Sequence, residues 1–160
     1  MRYAVFTGLV YCLGCLVSGQ AVAFVFNNSN WSYMASPMGE EWVVCPDRMP
    51  GEAVQRVKDG STAWNYERFR FTFSTDACLS SGDFPLLNSV NQIDLGRLSA
   101  GTLANTVSFF FTDAPNQTIE CDTRFNIAAN WYTGTGTPAA NQFDFWSVAT
   151  HEMGHCLGLD

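Results

Sequence analysis

The chain reads as an α+β domain: a long first helix, then strands of a mixed twisted β-sheet, then a C-terminal helix. Three observations predict this. Ala53, Val57, Gly60 and Trp64 recur at spacings of 4, 3 and 4, an apolar stripe of helical period. Phe69, Phe71 and Phe73 alternate with Arg70 and Thr72, as in a strand with one buried face. Near the end, Phe145, Ala149, Met153 and Cys156 fall on one face of a helix, and His151 and His155 on the opposite one.

The elements follow in order. Asn27 to Pro37 is polar and aromatic and reads as an irregular entry. Glu41 to Cys45 holds Trp42-Val43-Val44 and reads as a short strand. Pro50 suits the first turn of the first helix, which should end near Asn65. Arg68 to Ser74 is the clearest strand, and Ser80-Ser81-Gly82-Asp83 with Pro85 marks a loop. Gln92 to Leu95 is a strand with Ile93 and Leu95 on one face. Thr106 to Thr112 is another, with Val107, Phe109 and Phe111 expected inward. After a turn at Asp113-Ala114-Pro115-Asn116, Thr118 to Asn126 places Ile119, Cys121, Thr123 and Phe125 on one side. Tyr132 to Gln142 is rich in Gly, Thr and Pro and is expected to be a mobile loop. Asn141 or Asp144 can cap the last helix.

Composition narrows the function classes. A chain of 160 residues with 47% hydrophobic content can bury the core of one domain. The charge is −7, from 8 Lys and Arg against 15 Asp and Glu, with no basic stretch. That argues against nucleic acid and against anionic membranes as partners. A monomer is expected.

The N-terminus has the form of a secretory signal: Arg2, an apolar run from Tyr3 to Val17, and Ala21-Val22-Ala23 as a small-x-small cleavage site. The expected division is residues 1–23 as signal and 24–160 as one folded domain, which places the protein outside the cell. A retained anchor is the alternative, as is lipid attachment at Cys15 of Leu13-Gly14-Cys15, giving a cell-surface lipoprotein. The apolar run is short for a membrane span. Cleavage would leave Cys45, Cys78, Cys121 and Cys156, an even number in an oxidising compartment. Three pairings are possible. Placement along the chain favours Cys121–Cys156, strand to final helix, and Cys45–Cys78, either side of the first helix and its following strand. Sequons occur at Asn27, Asn30 and Asn116.

The chemistry lies in the last ten residues, His151-Glu152-Met153-Gly154-His155-Cys156-Leu157-Gly158-Leu159-Asp160. His-Glu-x-x-His sets two imidazoles at i and i+4 on one helical face with a carboxylate beside them. Two nitrogen ligands and a base able to deprotonate a metal-activated water are what zinc hydrolysis needs. The chain has only these two histidines. Gly158, three residues after His155, can end the helix in a left-handed conformation and turn the chain back toward the metal.

His151-Glu152-x-x-His155-x-x-Gly158 resembles the extended motif of the metzincin metalloendopeptidases, and Ser147 to Asp160 resembles its matrixin version. Asp122-Thr123-Arg124-Phe125-Asn126 is similar to an Asp-Ile-x-Phe-Asn strand of bacterial matrixins, and Ala63-Trp64-Asn65 before an aromatic strand to the start of that catalytic domain. The resemblance spans Trp31 to Asp160. It implies the N-terminal subdomain of a zincin-like fold, His151 and His155 as ligands of one catalytic zinc, Glu152 as general base, and a protein or peptide substrate. The family's third histidine would follow Asp160, so the sequence is expected to be a fragment truncated within the motif, and inactive as such. Asp160 as a substitute ligand is disfavoured, because it follows Gly158 by two residues rather than three. No histidines remain for a structural zinc; calcium is compatible, though no EF-hand spacing is present. Cys45-Pro46-Asp47 faintly resembles the zinc-blocking cysteine of latent matrixins but lacks its Arg and Gly, so a disulfide is expected there. The rival readings are a non-catalytic secreted binding domain derived from a metzincin, against which the intact Glu152 speaks, and another zinc hydrolase with a distant glutamate ligand, against which Gly158 speaks.

Overall fold

Trp42 and Val44 are fully buried along a strand whose intervening residues are more exposed, and this strand sits inside the sheet. The computed structural model describes residues 3–11, 31, 40–66, 69–75, 84–111 and 117–159, the first of these by backbone alone. Chain order is β1 (Tyr3–Tyr11), β2 (Glu40–Val44), a 3-10 turn (Pro46–Arg48), α1 (Ala53–Thr62), β3 (Phe71–Ser74), β4 (Asn91–Gly96), β5 (Thr102–Phe111), β6 (Thr118–Asn126), β7 (Trp131–Tyr132), β8 (Phe143–Asp144) and α2 (Phe145–Cys156). The expected cleavage site at Ala21 to Ala23, the sequons, Cys12, Cys15, Cys78 and Asp160 lie outside the described residues.

Six strands form one mixed sheet in the order β1-β5-β6-β4-β2-β3. β2 pairs in parallel with both β3 and β4, and β4 with β6, while β5 is antiparallel to β6 and to β1. β7 and β8 make a small separate pair. The class is α+β, as expected. The first helix is not long: α1 has ten residues against twelve in α2. The segment expected to prolong it to Asn65 instead tightens into turns, with Trp64 N–H bonded to Ser61 O at 3.0 Å and Asn65 N–H to Thr62 O at 3.2 Å.

Both helices share one core with one face of the sheet. Ala53 and Val57 of α1 and Phe145, Ala149, Met153 and Cys156 of α2 meet Trp42, Val44, Ile93, Leu95, Ala104, Cys121 and Phe125. The helices approach closely at Gly60: a Cβ there would lie 2.9 Å from Thr150 N and 3.2 Å from Trp146 O.

The far face of the sheet is also buried. Val107 and Phe109 were expected to point inward. They are buried, but they stand opposite Asp122 and Glu120, on the face away from α2. The helix-facing side of β5 carries Ala104, Thr106 and Ser108, opposite Phe125, Thr123 and Cys121. The far face holds buried polar groups. Arg124 makes two bonds to Asp94 (2.8 and 2.5 Å) and lies over the Phe84 ring. Asp122 accepts from Gln92 N–H and Leu86 N–H, and Glu120 from Asn88 and Ser89 N–H, which moors residues 84–90 across the sheet. Burial pushes Asp122 up to about 7 and raises Glu120, the backbone bonds opposing both shifts.

The loop after β7 is held by its own bonds. Gly136 N–H donates to Tyr132 Oη at 2.7 Å, Asn130 Nδ2 to Asn141 O at 3.0 Å, and Ala139 N–H to Gln142 Oε1 at 3.1 Å.

Candidate metal centre

α2 begins where Asp144 accepts a hydrogen bond from Ser147 N–H at 3.1 Å, an N-cap that satisfies one of the helix's open donors. Of the two residues expected to cap it, Asp144 does so. The buried face is the expected one: Phe145 stacks on Phe125 with centroids 4.3 Å apart, and Cys156 forms a disulfide with Cys121. Two indoles hold the helix backbone. Trp64 Nε1 donates to Thr150 O and Trp31 Nε1 to Cys156 O, each at 2.7 Å. Trp64 also explains Gly154, because a Cβ at that position would meet the indole ring at 3.0 Å. Cys45 is disulfide-bonded as well, as expected in place of a zinc-blocking thiol.

The other face brings His151, Glu152 and His155 together, with one ligand atom from each inside a 4.8 Å span. The two Nε2 atoms face each other at 2.9 Å. Nδ1 of His155 is 2.6 Å from the carbonyl oxygen of Leu159. A carbonyl only accepts, so Nδ1 carries a proton, and Nε2 is the nitrogen left to bind a metal. Burial, then the neighbouring His155, lowers the pKa of His151, which favours the neutral form that binds metal.

Gly158 makes the Leu159 contact possible. Its φ is +83°, a left-handed conformation natural to glycine. Gly158 N–H bonds to His155 O at 2.9 Å and Leu159 N–H to Gly154 O at 3.2 Å, a Schellman closure of the helix. The turn delivers the Leu159 carbonyl to His155.

Glu152 is fully buried. Its Oε2 accepts from Thr106 Oγ1 at 2.5 Å, and Thr106 Oγ1 lies 2.9 Å from Thr123 Oγ1. Thr106 has one hydrogen and gives it to the carboxylate, so Thr123 donates to Thr106. Oε1 of Glu152 has no partner. Burial pushes the carboxyl up to about 8, with the Thr106 bond opposing. The donor set suits a borderline cation such as zinc: two convergent imidazoles beside a carboxylate with one oxygen open to a proton.

Residues 99–160 match the matrixin family model. The match takes in β5, β6 and the whole of α2, and supports a matrixin-like metallopeptidase. Matrixins in general bind zinc, and their substrates are peptides. No curated protein and no solved structure matches the chain.

Sequence reasoning did not find Thr106, the Leu159 carbonyl or the indoles of Trp31 and Trp64. Thr106 lies in an apolar alternating strand and looks like its solvent side. The only available signal was the polar Thr106-x-Ser108 pattern beside that buried alternation.

Proposed function

We propose that this protein is a secreted zinc-dependent endopeptidase of the matrixin type, with His151 and His155 as zinc ligands and Glu152 as general base. One observation supports the reading most. Two Nε2 atoms face each other at 2.9 Å beside a buried carboxylate that has one oxygen unpartnered. Zinc held there would supply Lewis-acid polarisation of a peptide carbonyl and of the attacking water. Glu152 accepts the proton of that water through Oε1, while Oε2 stays on Thr106, and returns it to the leaving amine. The Leu159 carbonyl keeps His155 in the ligating tautomer. Catalytic zinc takes three protein ligands, and the third would come from outside the described residues.

The substrate is an extended peptide added to a sheet edge. Of the stretch from Phe125 to Tyr132, Phe125 and Asn126 lie in β6 and offer no free edge. β6 is paired on both sides, by β5 and β4. β5 is the strand that packs against α2, between β6 and β1. Export with removal of residues 1–23 fits the Cys121–Cys156 disulfide, which needs an oxidising compartment. A non-catalytic binding domain would have no need of a buried, partly unpartnered Glu152.

Metal analysis and peptide hydrolysis of the full-length secreted protein test the proposal. Chelator-sensitive cleavage is expected. Glu152→Gln should keep zinc and lose at least ~10²-fold in turnover, since the amide cannot accept a proton. Near-normal turnover in that variant would remove Glu152 from the role.

A further inference from the structure

His151 and His155 are held by different means. His151 lies in the middle of α2, between Ala149 and Met153, both fully buried in the core. The carbonyl just before it, Thr150 O, accepts from the Trp64 indole. His155 lies one residue from the end of the helix, which closes at Cys156. A last turn lacks the onward hydrogen bonds of a helix interior and opens first. The Schellman bonds close this turn on itself, and Cys156 fastens it to the rest of the domain. Its sulfur is bonded to Cys121, at a sequence separation of 35, and its carbonyl accepts from the buried Trp31 indole.

The anchor at the other end is rigid. Cys121 is fully buried in β6, which is paired on both sides. Its N–H donates to Asn91 Oδ1 at 2.8 Å, and its carbonyl accepts from Trp42 Nε1 at 3.1 Å. Two residues along the same strand, on the same face, Thr123 lies 2.9 Å from Thr106, whose hydroxyl holds Glu152. β6 is thus a common frame for both ends of the motif. It reaches His155 through the disulfide and Glu152 through two threonines. A bridge that served stability alone would work at any buried pair between α2 and the sheet. This one is attached at the residue next to His155.

The geometry points to the Cys121–Cys156 disulfide as a positioning element of the metal centre: it fixes His155 against His151, so that zinc is held tightly only by the oxidised protein. The zinc role rests on the endopeptidase reading. Ligand distances at a metal hold to about ±0.2 Å, so a small drift of the last turn is enough to spoil the site. Forming the bridge takes two electrons and two protons from the two thiols. A disulfide donor of an oxidising compartment accepts both and becomes a dithiol. Before that exchange the chain carries the whole His151–Glu152–His155 group but not its alignment. The chemistry that accompanies export would also switch on metal binding, which keeps a hydrolase inactive where it is made.

Zinc affinity of the full-length protein, read by competition with a chromophoric chelator, tests this in three forms: wild type, Cys121→Ala/Cys156→Ala, and Val44→Ala. Alanine at both cysteines removes the bridge and leaves no thiol there to bind zinc. Val44 is fully buried in β2, two strands from β6, so its truncation weakens the same core away from the bridge. The bridgeless variant should bind zinc at least ~10-fold more weakly, the usual effect of losing a ligand's support. Without metal, its amides at residues 153–157 should exchange faster while those of β6 stay protected. Val44→Ala should lose stability and keep the wild-type affinity. Equal affinity in the bridgeless variant would overturn the inference, and so would an equal loss in Val44→Ala. If alanine at both positions prevents folding, Cys121→Val/Cys156→Ala, which refills buried space, takes its place. If that also fails to fold, the bridge serves the whole fold and the inference is overturned. A wild type that binds no zinc defeats the endopeptidase reading as well; a bridgeless variant that binds it normally defeats this inference alone.

Discussion

The hydroxyl of Thr106 donates to Oε2 of Glu152 across 2.5 Å, tying β5 to the middle of α2. The bond lowers the pKa of a carboxyl that burial has pushed up to about 8. Thr106→Val keeps the shape and removes the donor. Burial is then unopposed and the Glu152 pKa rises further. The base must be ionised to act, so the acid limb of the kcat/KM profile should move to higher pH, and Thr106→Ser should bring it back. Stability should fall by about 1–3 kcal/mol in the Val variant, from a buried acceptor left without its donor. An unmoved pH limb would show that this hydroxyl does not act on Glu152.

Gly158→Ala places a Cβ at φ +83°, at a cost of about 1–2 kcal/mol. The larger consequence should be at His155, because the turn presents the Leu159 carbonyl to Nδ1. Zinc affinity, read by competition with a chromophoric chelator, should drop by ~10-fold or more, the usual effect of losing a ligand's supporting hydrogen bond. Unchanged affinity would mean that the Leu159 contact does not orient the ring.

Two glycines at the helix contacts should respond differently to alanine. Gly→Ala in a helix gains about 1 kcal/mol of propensity. At Gly60 the new Cβ meets Thr150 N at 2.9 Å, and backbone cannot step aside. Overpacking of about 1–3 kcal/mol should outweigh the gain, so Gly60→Ala destabilises. At Gly154 the neighbour is the Trp64 ring at 3.0 Å, which can shift by a few tenths of an ångström. Gly154→Ala should come out closer to neutral. Chemical denaturation of both variants gives the order directly.

Asp122 should give stability a slope with pH. Its folded-state value is about 7 against an ordinary 3.8, because burial disfavours the charge. The folded protein therefore holds this proton where the unfolded chain has lost it. The contribution is full below about pH 3.8 and is lost as pH rises through about 7. Asp122→Asn should flatten the fall in stability between those limits. Glu120 and Glu40, also raised by burial, slope the same way, so the slope should shrink rather than vanish. Urea titrations across that range measure it, and an unchanged slope would exclude Asp122 as its source.

Peptide mapping without reductant should recover Cys121 joined to Cys156, and Cys45 joined to Cys78. The double variant Cys121→Ala/Cys156→Ala should lose about 2–4 kcal/mol of stability if the bridge is unstrained. A Cys45–Cys121 or Cys78–Cys156 peptide would show the pairing to be wrong.

The sequence by itself determined what lies within one turn or one strand. The His151/His155 spacing, the Asp144 cap, the Gly158 helix end and the apolar face from Phe145 to Cys156 are relations between near neighbours, set by the 3.6-residue period. The alternation around Phe71 was legible for the same reason. Only the tertiary structure decided which face of β5 meets α2. Both faces are buried, so alternation does not distinguish the Val107 side from the Thr106 side. It also decided that β6 is internal, that β1 fills the β5 edge, and that Thr106 and the Leu159 carbonyl serve Glu152 and His155. Strand order and register come from summing many weak contacts between distant segments, and no short window of sequence contains that sum.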